Sequence, residues 1–226
     1  MRTVENTFGE VSVYAMIPEK GSERVVYLLE PIKNMPGLED YVDQGRCSIV
    51  SVFGMDWERD LTPWPAPKVL KRGSDFSGKA EAFLDSLKEE ILPWTEKESI
   101  PEGCVPRRDI VGISLAGLFS LWSALQSGCP FSGIASVSGS LWFDGFMDYL
   151  EKTSFPEFPK GVYLSVGDTE KNTRNPRMAV VEDNTREAAR IIESRGIHVK
   201  MELNPGNHFS DTIPRLRKAI DFLLDL

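Results

Sequence analysis

The sequence predicts an α/β domain, a mostly parallel central sheet flanked by helices. Two observations carry that expectation. Short apolar runs of strand length alternate with longer amphipathic runs along most of the chain, the pattern that buries parallel strands between crossover helices. At one junction, Gly112-Ile113-Ser114-Leu115-Ala116-Gly117, small residues stand where the apolar run from Asp109 to Ile113 hands over to the helix-like stretch Leu118 to Leu125.

Taken in order, Val11 to Ile17 alternates in part, Val25 to Leu29 is a short buried run, and Cys47 to Phe53 reads as a third strand. Lys79 to Leu92 is strongly amphipathic, with Phe83, Leu84, Leu87, Ile91 and Leu92 on one side. After the helix at 118–125 come strands at Gly133 to Ser138 and Gly161 to Val166. A helix from Met178 to Ser194 stops at Arg195-Gly196, a common C-terminal signal. Val199 to Leu203 is the last strand and Thr212 to Leu226 the last helix. Two segments interrupt this rhythm. Met55 to Ser77 holds Pro63, Pro65 and Pro67, which excludes a regular helix or central strand. Leu141 to Lys160 carries Trp142, Phe143, Phe146, Tyr149, Phe155 and Phe158. Both read as long loops that cover or line an entrance. No repeat, low-complexity tract or linker divides the chain, so a single domain over residues 1–226 is expected.

Composition narrows the function classes. Hydrophobic residues make up 41% of the chain, enough for a sizeable core. The net charge is −8 and no dense Lys/Arg run occurs, so the electrostatic footprint of a nucleic-acid binder is missing. Met1 to Phe8 is too polar for a secretory signal, and no apolar run approaches the roughly 18 residues of a membrane span. A soluble, cytoplasmic protein without nucleic-acid or membrane partners is expected; the composition leaves room for a homo-oligomer. Cys47, Cys104 and Cys129 are widely spaced and odd in number, which argues against a disulfide framework and a Cys-x-x-Cys metal site. Nothing near Cys47 or Cys129 would depress a thiol pKa, so both read as ordinary packing residues.

Chemistry gathers around the small-residue turn. A serine between an apolar strand and a helix, with tiny neighbours two positions before and two after, is how the α/β-hydrolase fold exposes a nucleophile. Ala116 stands where that pattern prefers glycine. The helix that starts at Ser114 offers free N–H groups to a developing oxyanion. A serine hydroxyl needs a base, and the chain has two histidines. His198 enters a strand and reads as an edge residue. His208 lies in the turn-rich Asn204-Pro-Gly-Asn-His-Phe209, between the last strand and the last helix, and is the candidate base. The fold requires the chain order serine, acid, histidine. Gly167-Asp168-Thr169-Glu170 falls between Ser114 and His208 and offers two carboxylates. The register from the glycine that ends the strand selects Glu170; Asp168 is the shorter alternative and is suited to shaping the turn. No phosphate loop, dinucleotide fingerprint or metal-spaced cluster competes, and neither cofactor nor metal is implied.

With these residues in this order, the chain resembles the Putative esterase family of α/β-hydrolases, the group that includes esterase D, and within it the enterochelin (siderophore) esterases. The resemblance rests on Arg59-Asp-Leu-Thr-Pro63, Phe83 to Trp94, Ser138-Gly-Ser-Leu-Trp-Phe143, Gly167-Asp-Thr-Glu170 and Gly206-Asn-His-Phe209. It implies an α/β-hydrolase fold with minimal or no lid domain, and hydrolysis of a small carboxylic ester through an acyl-enzyme. Ser114 would attack, His208 would move the proton and Glu170 would hold His208; the same resemblance also admits a Ser–His dyad. The oxyanion hole would use the Leu115 N–H and one donor from the loop after Leu29. Pro31 has no N–H to give, which points to Ile32. Arg59 would clamp an oxygen-rich substrate group, or else pin its own loop to Asp60 or a neighbour. Trp142 would wall the pocket or serve as packing. A siderophore-type or aromatic ester is the implied substrate. A sugar-acyl esterase, an acyltransferase on the same fold and a non-catalytic binding protein are the alternatives.

Overall fold

A computed structural model describes residues 1–30, 37–71 and 73–226. Eight of its strands form one sheet: β1 (Arg2–Phe8), β2 (Val11–Ile17), β3 (Arg24–Leu29), β4 (Ser48–Phe53), β7 (Arg107–Ile113), β8 (Gly133–Val137), β9 (Gly161–Gly167) and β10 (Val199–Asn204). Their order across the sheet is β1-β2-β4-β3-β7-β8-β9-β10. β1 pairs antiparallel with β2, and β2 with β4; all other neighbours are parallel. Two short strands, β5 (Pro65–Ala66) and β6 (Phe76–Ser77), pair separately.

The inner parallel strands β3, β4, β7, β8 and β9 are buried on both faces, so adjacent residues feed opposite cores, while β10 at the edge is only partly covered. Val25, Tyr27 and Leu29 of β3 join one cluster, together with α3 (Ala80–Ser86), α4 (Leu92–Ser99), α5 (Leu115–Ser123) and α7 (Val181–Ser194). Val26 and Leu28 join the other, with α1 (Glu39–Asp43) and α8 (Thr212–Leu224). Arg24 and Arg107 bind the Leu224 and Leu223 carbonyls, anchoring the end of α8 beneath the sheet. Cys47 is buried, and burial pushes its thiol up to about 12, in keeping with packing.

Several elements differ from the sequence expectation. Helix α3 does not stop at Leu92. It continues through a π-helical turn, Leu87–Ile91, into α4, and the wider turn accommodates Pro93, which has no N–H for the regular ladder. Neither irregular stretch is one long loop: α2 (Trp57–Asp60) interrupts the Pro-rich one after β4, and α6 (Phe146–Lys152) interrupts the aromatic one after β8. Phe143, Phe146, Leu150 and Phe155 are core residues rather than a covering. The helix before β10 begins at Val181, three residues later than expected. β1 is an added edge strand, half-exposed and polar enough to escape a hydrophobic pattern. Among the described residues, no helix is long and apolar enough to cross a membrane.

Candidate active site

Three side chains meet at the C-terminal ends of the parallel strands, where open α/β sheets place their ligands. Ser114 follows β7, Glu170 follows β9 and His208 follows β10.

Ser114 has φ 59° and ψ −124°, in the positive-φ region that a side chain rarely adopts. Its backbone is held on three sides. Its N–H donates to Val137 O at 3.1 Å, and its carbonyl accepts from Leu118 N at 3.1 Å and Ser140 N at 2.9 Å. The turn closes because glycines allow backbone to touch backbone. A β-carbon on Gly112 would lie 2.1 Å from Ala116 O, and one on Gly117 would lie 2.8 Å from Ser136 Oγ and 3.0 Å from Gly139 Cα. The side-chain-free positions are therefore two before and three after the serine. Ala116, fully buried, needs no glycine. Leu115 opens α5, so its N–H has no acceptor within the helix, and the residue borders the cleft described below.

His208 and Glu170 are paired, with Nδ1 to Oε2 at 2.8 Å. The other carboxylate oxygen, Oε1, accepts from Gly167 N at 2.6 Å and from Ser138 Oγ at 2.7 Å, with Arg215 Nη1 at 3.3 Å. Burial works to raise the Glu170 carboxyl, but hydrogen bonds from His208, Ser138 and the Gly167 N–H outweigh it and hold the group below its usual range. An ionised carboxylate only accepts, so His208 Nδ1 carries the proton and Nε2 is left free to accept one. Asp168 has different work: its Oδ1 accepts from Gly206 N at 2.8 Å, tying the acid loop to the histidine loop.

Ser114, Leu115, His208 and Trp142 border a cleft of about 250 Å³, to which Lys68, Val69, Leu70, Phe76, Met178 and Phe209 also contribute. A smaller cavity of about 70 Å³ brings Ser114, Ser140, Glu170 and His208 together beside Trp142. Ser114 Oγ lies 3.4 Å from Ser140 Oγ, a loose contact that leaves the hydroxyl free to turn. Trp142 also packs on Phe76, ring centres 6.2 Å apart. The cleft wall is stapled from outside. Arg177 donates to both carboxylate oxygens of Asp144 (3.0 and 2.6 Å) and to the Pro67 and Lys68 carbonyls (2.9 and 3.1 Å), while Asn175 Nδ2 donates to Val69 O at 2.6 Å.

Arg59 does not border this cleft. Its guanidinium is taken up by Asp60 (2.7 Å) and Glu10 (2.8 Å), the loop-pinning arrangement. Ile32 and Pro31 lie outside the described residues. Glu30, at the end of β3 just before them, is buried and accepts from Ser51 Oγ at 2.7 Å. His198 stacks on Phe222 at the sheet's edge, ring centres 5.3 Å apart, far along the fold from these loops.

A family model described as Putative esterase matches residues 13–218. The chain belongs to that family. YbbA, an uncharacterized protein of Bacillus subtilis, is 25% identical over 162 residues, which are 70% of this chain and 65% of YbbA, so the match spans just under two thirds of that protein. Among solved structures, an IroE-like serine hydrolase from Shewanella oneidensis superposes with a TM-score of 0.77 at 19% identity, covering 99% of this chain and 80% of that one. The siderophore hydrolase EstA of Aspergillus nidulans gives 0.72 at 20% identity, over 99% and 94% of the two chains. The enterobactin esterase FES of Shigella flexneri gives 0.73 at 16%, over all of this chain and 59% of that one. At these identities the likeness establishes the α/β-hydrolase fold.

Arg215, Ser138 and Arg177 were not legible as site residues. Arg215 did leave a trace: it stands four residues before Ala219 and eight before Leu223, on the apolar stripe of α8, where a cation needs a buried partner.

Proposed function

We propose that this Putative esterase family member is a serine hydrolase that cleaves a small carboxylic ester through an acyl-enzyme. The observation that carries the reading is the Glu170–His208 pair at 2.8 Å, sharing a cavity with a serine held at positive φ on a helix start. Ser114 Oγ attacks the ester carbonyl and gives its proton to His208 Nε2. Glu170 fixes the imidazole and offsets its charge. The oxyanion is received by the Leu115 N–H. As the tetrahedral intermediate collapses, the alcohol leaves with the proton from the imidazolium. Water then loses a proton to His208, attacks the acyl carbon and releases the carboxylic acid, and Ser114 recovers its proton.

A siderophore-type or aromatic ester is the substrate to try first. The names of two solved structures, the siderophore hydrolase EstA and the enterobactin esterase FES, support that choice, and Trp142, Phe76 and Phe209 give the cleft aromatic walls. A cytoplasmic setting fits the three free cysteines. The test is turnover of aryl acetates, sugar acetates and trilactone esters, with and without added alcohols. Hydrolysis with a pre-steady-state burst, lost in Ser114→Ala, supports the esterase. Product appearing only when an alcohol is added makes the protein an acyltransferase. No turnover of any ester, with S114A indistinguishable from wild type, refutes the reading.

A further inference from the structure

Glu170 is held from two directions, and the second direction is a buried cation. Arg215 rises from the first turn of α8 with its side chain almost wholly enclosed, and it spends three contacts on the active-site loops. Nη1 donates to Ser138 Oγ at 3.1 Å and to Glu170 Oε1 at 3.3 Å, and Nη2 donates to Pro205 O at 2.8 Å. One guanidinium thus touches the acid, the serine hydroxyl that braces the acid, and the carbonyl three residues before His208. The seat is shaped for it. A β-carbon on Gly167 would come 3.1 Å from Arg215 Nη2 and 2.3 Å from Gly206 O, so the acid loop and the histidine loop close around the fork only because Gly167 lacks a side chain. Ser138, at φ 47°, accepts the same kind of backbone cost to aim its hydroxyl at Glu170.

Burying an arginine is unfavourable unless it is paired, and its net contribution to stability is small or negative. A cheaper apolar residue would serve α8 equally well as packing. The geometry points to Arg215 as a positioning residue for the hydrolysis: its charge balances Glu170, and its fork locks the acid loop to the histidine loop. This inference rests on the hydrolase reading above. Its consequence concerns protons. Beside His208, Glu170 is a negative charge already offset by Arg215. Without the cation, the uncompensated carboxylate would favour the imidazolium, and a base that holds its proton more tightly is lost at a higher pH. Glu170 would stay ionised, because the hydrogen bonds from His208, Ser138 and Gly167 N–H remain. Glu58 and Lys68 border the same cleft as His208, and Lys68 donates to Gly73 O at 3.3 Å. Asp168 on the acid loop is engaged by Gly206 N–H, and Lys171 is paired with Glu182 at 2.9 Å.

The experiment is the pH profile of kcat/KM for an aryl acetate with wild type, Arg215→Met and Arg215→Lys, each checked for folding by near-UV circular dichroism and Tm. R215M is expected to lower kcat/KM about tenfold or more at its optimum and to move the acidic limb up by about half a pH unit to one unit. R215K keeps the charge, so its limb stays at the wild-type position while part of the rate returns. A folded R215M whose profile superimposes on wild type, or is lowered equally at every pH, overturns the inference. If R215M does not fold, Arg215→Gln, which retains a donor for Pro205 O, is held to the same two outcomes. A wild-type protein with no Ser114-dependent hydrolysis overturns the parent reading, and this inference with it; an active wild type with an unmoved R215M limb overturns this inference alone.

Discussion

Replacing Gly112 with alanine tests the claim that the serine's geometry is imposed by backbone crowding. A β-carbon there would lie 2.1 Å from the carbonyl oxygen of Ala116, 2.2 Å from its carbonyl carbon and 2.7 Å from the Gly117 nitrogen. These are backbone atoms of the first turn of α5, so no rotamer change can relieve the clash. Either the end of β7 or the start of α5 must move by about an ångström, and Ser114 is the residue between them; a misplacement of that size costs ~10²-fold in rate. Overpacking a tight site costs about 1–3 kcal/mol, and about 2 kcal/mol in a chain of this size lowers Tm by ~4–8 °C. Alanine 116 provides the control. It is fully buried, yet Ala116→Gly removes only a methyl and costs about 1 kcal/mol of helix propensity. The assay pairs aryl-ester turnover with thermal unfolding for both variants. Gly112→Ala should lose far more activity than Ala116→Gly, and more than its Tm shift explains. A Gly112→Ala protein with wild-type Tm and turnover, or an Ala116→Gly protein equally damaged, would refute the crowding argument.

Four further outcomes follow from the site. Glu170→Gln should lower kcat by ~10²-fold or more, because an amide no longer fixes the imidazole or offsets its charge; Asp168→Asn keeps an acceptor for the Gly206 N–H and should leave turnover nearly unchanged. The same pair reads linkage: burial raises the Glu170 carboxyl, but its hydrogen bonds win and depress it, so its stability contribution is present above the ordinary carboxyl range and lost as pH falls through the folded value. The Tm deficit of Glu170→Gln at pH 7 should therefore shrink below about pH 4, and a constant deficit would contradict it. Arg177→Ala unties the cleft wall at Lys68–Leu70, which should raise KM for bulky esters while kcat for an aryl acetate holds; equal losses in both would place Arg177 in the chemistry instead. Arg59→Ala should leave turnover intact while costing about 1–3 kcal/mol, since it removes a partner from the buried Asp60, which keeps the Asp56 N–H, and from the exposed Glu10; a large rise in KM would restore the substrate-clamp role.

What could be read in the sequence was what local pattern controls. The parallel strands showed because burial on both faces makes continuous apolar runs such as Val25 to Leu29 and Ile110 to Ile113. The Ser114 turn showed because only tiny residues fit a strand–helix crossing, although the crowded position after the serine is Gly117 rather than Ala116. Where the pattern is not local, the reading failed. β1 is paired on one side only, so its polar Glu5 and Asn6 carry no burial signal. Helix α6 was hidden because its seven residues hold too few periods to stand out from an aromatic-rich stretch. The continuation of α3 into α4 was hidden because Pro93 argues for a break, and a π-turn absorbs it. The clamp from Arg177 and the seat of Arg215 depend on residues up to 110 positions away, and no spacing rule reports such contacts.

The central claim is that Ser114 is a nucleophile served by His208. Incubating the protein with a fluorophosphonate and mapping the modified peptide tests it most directly. The account predicts one phosphonyl group on Ser114 Oγ, formed slowly or not at all in His208→Ala. Folded wild-type protein that remains unlabelled, or carries the label on another residue, would contradict it.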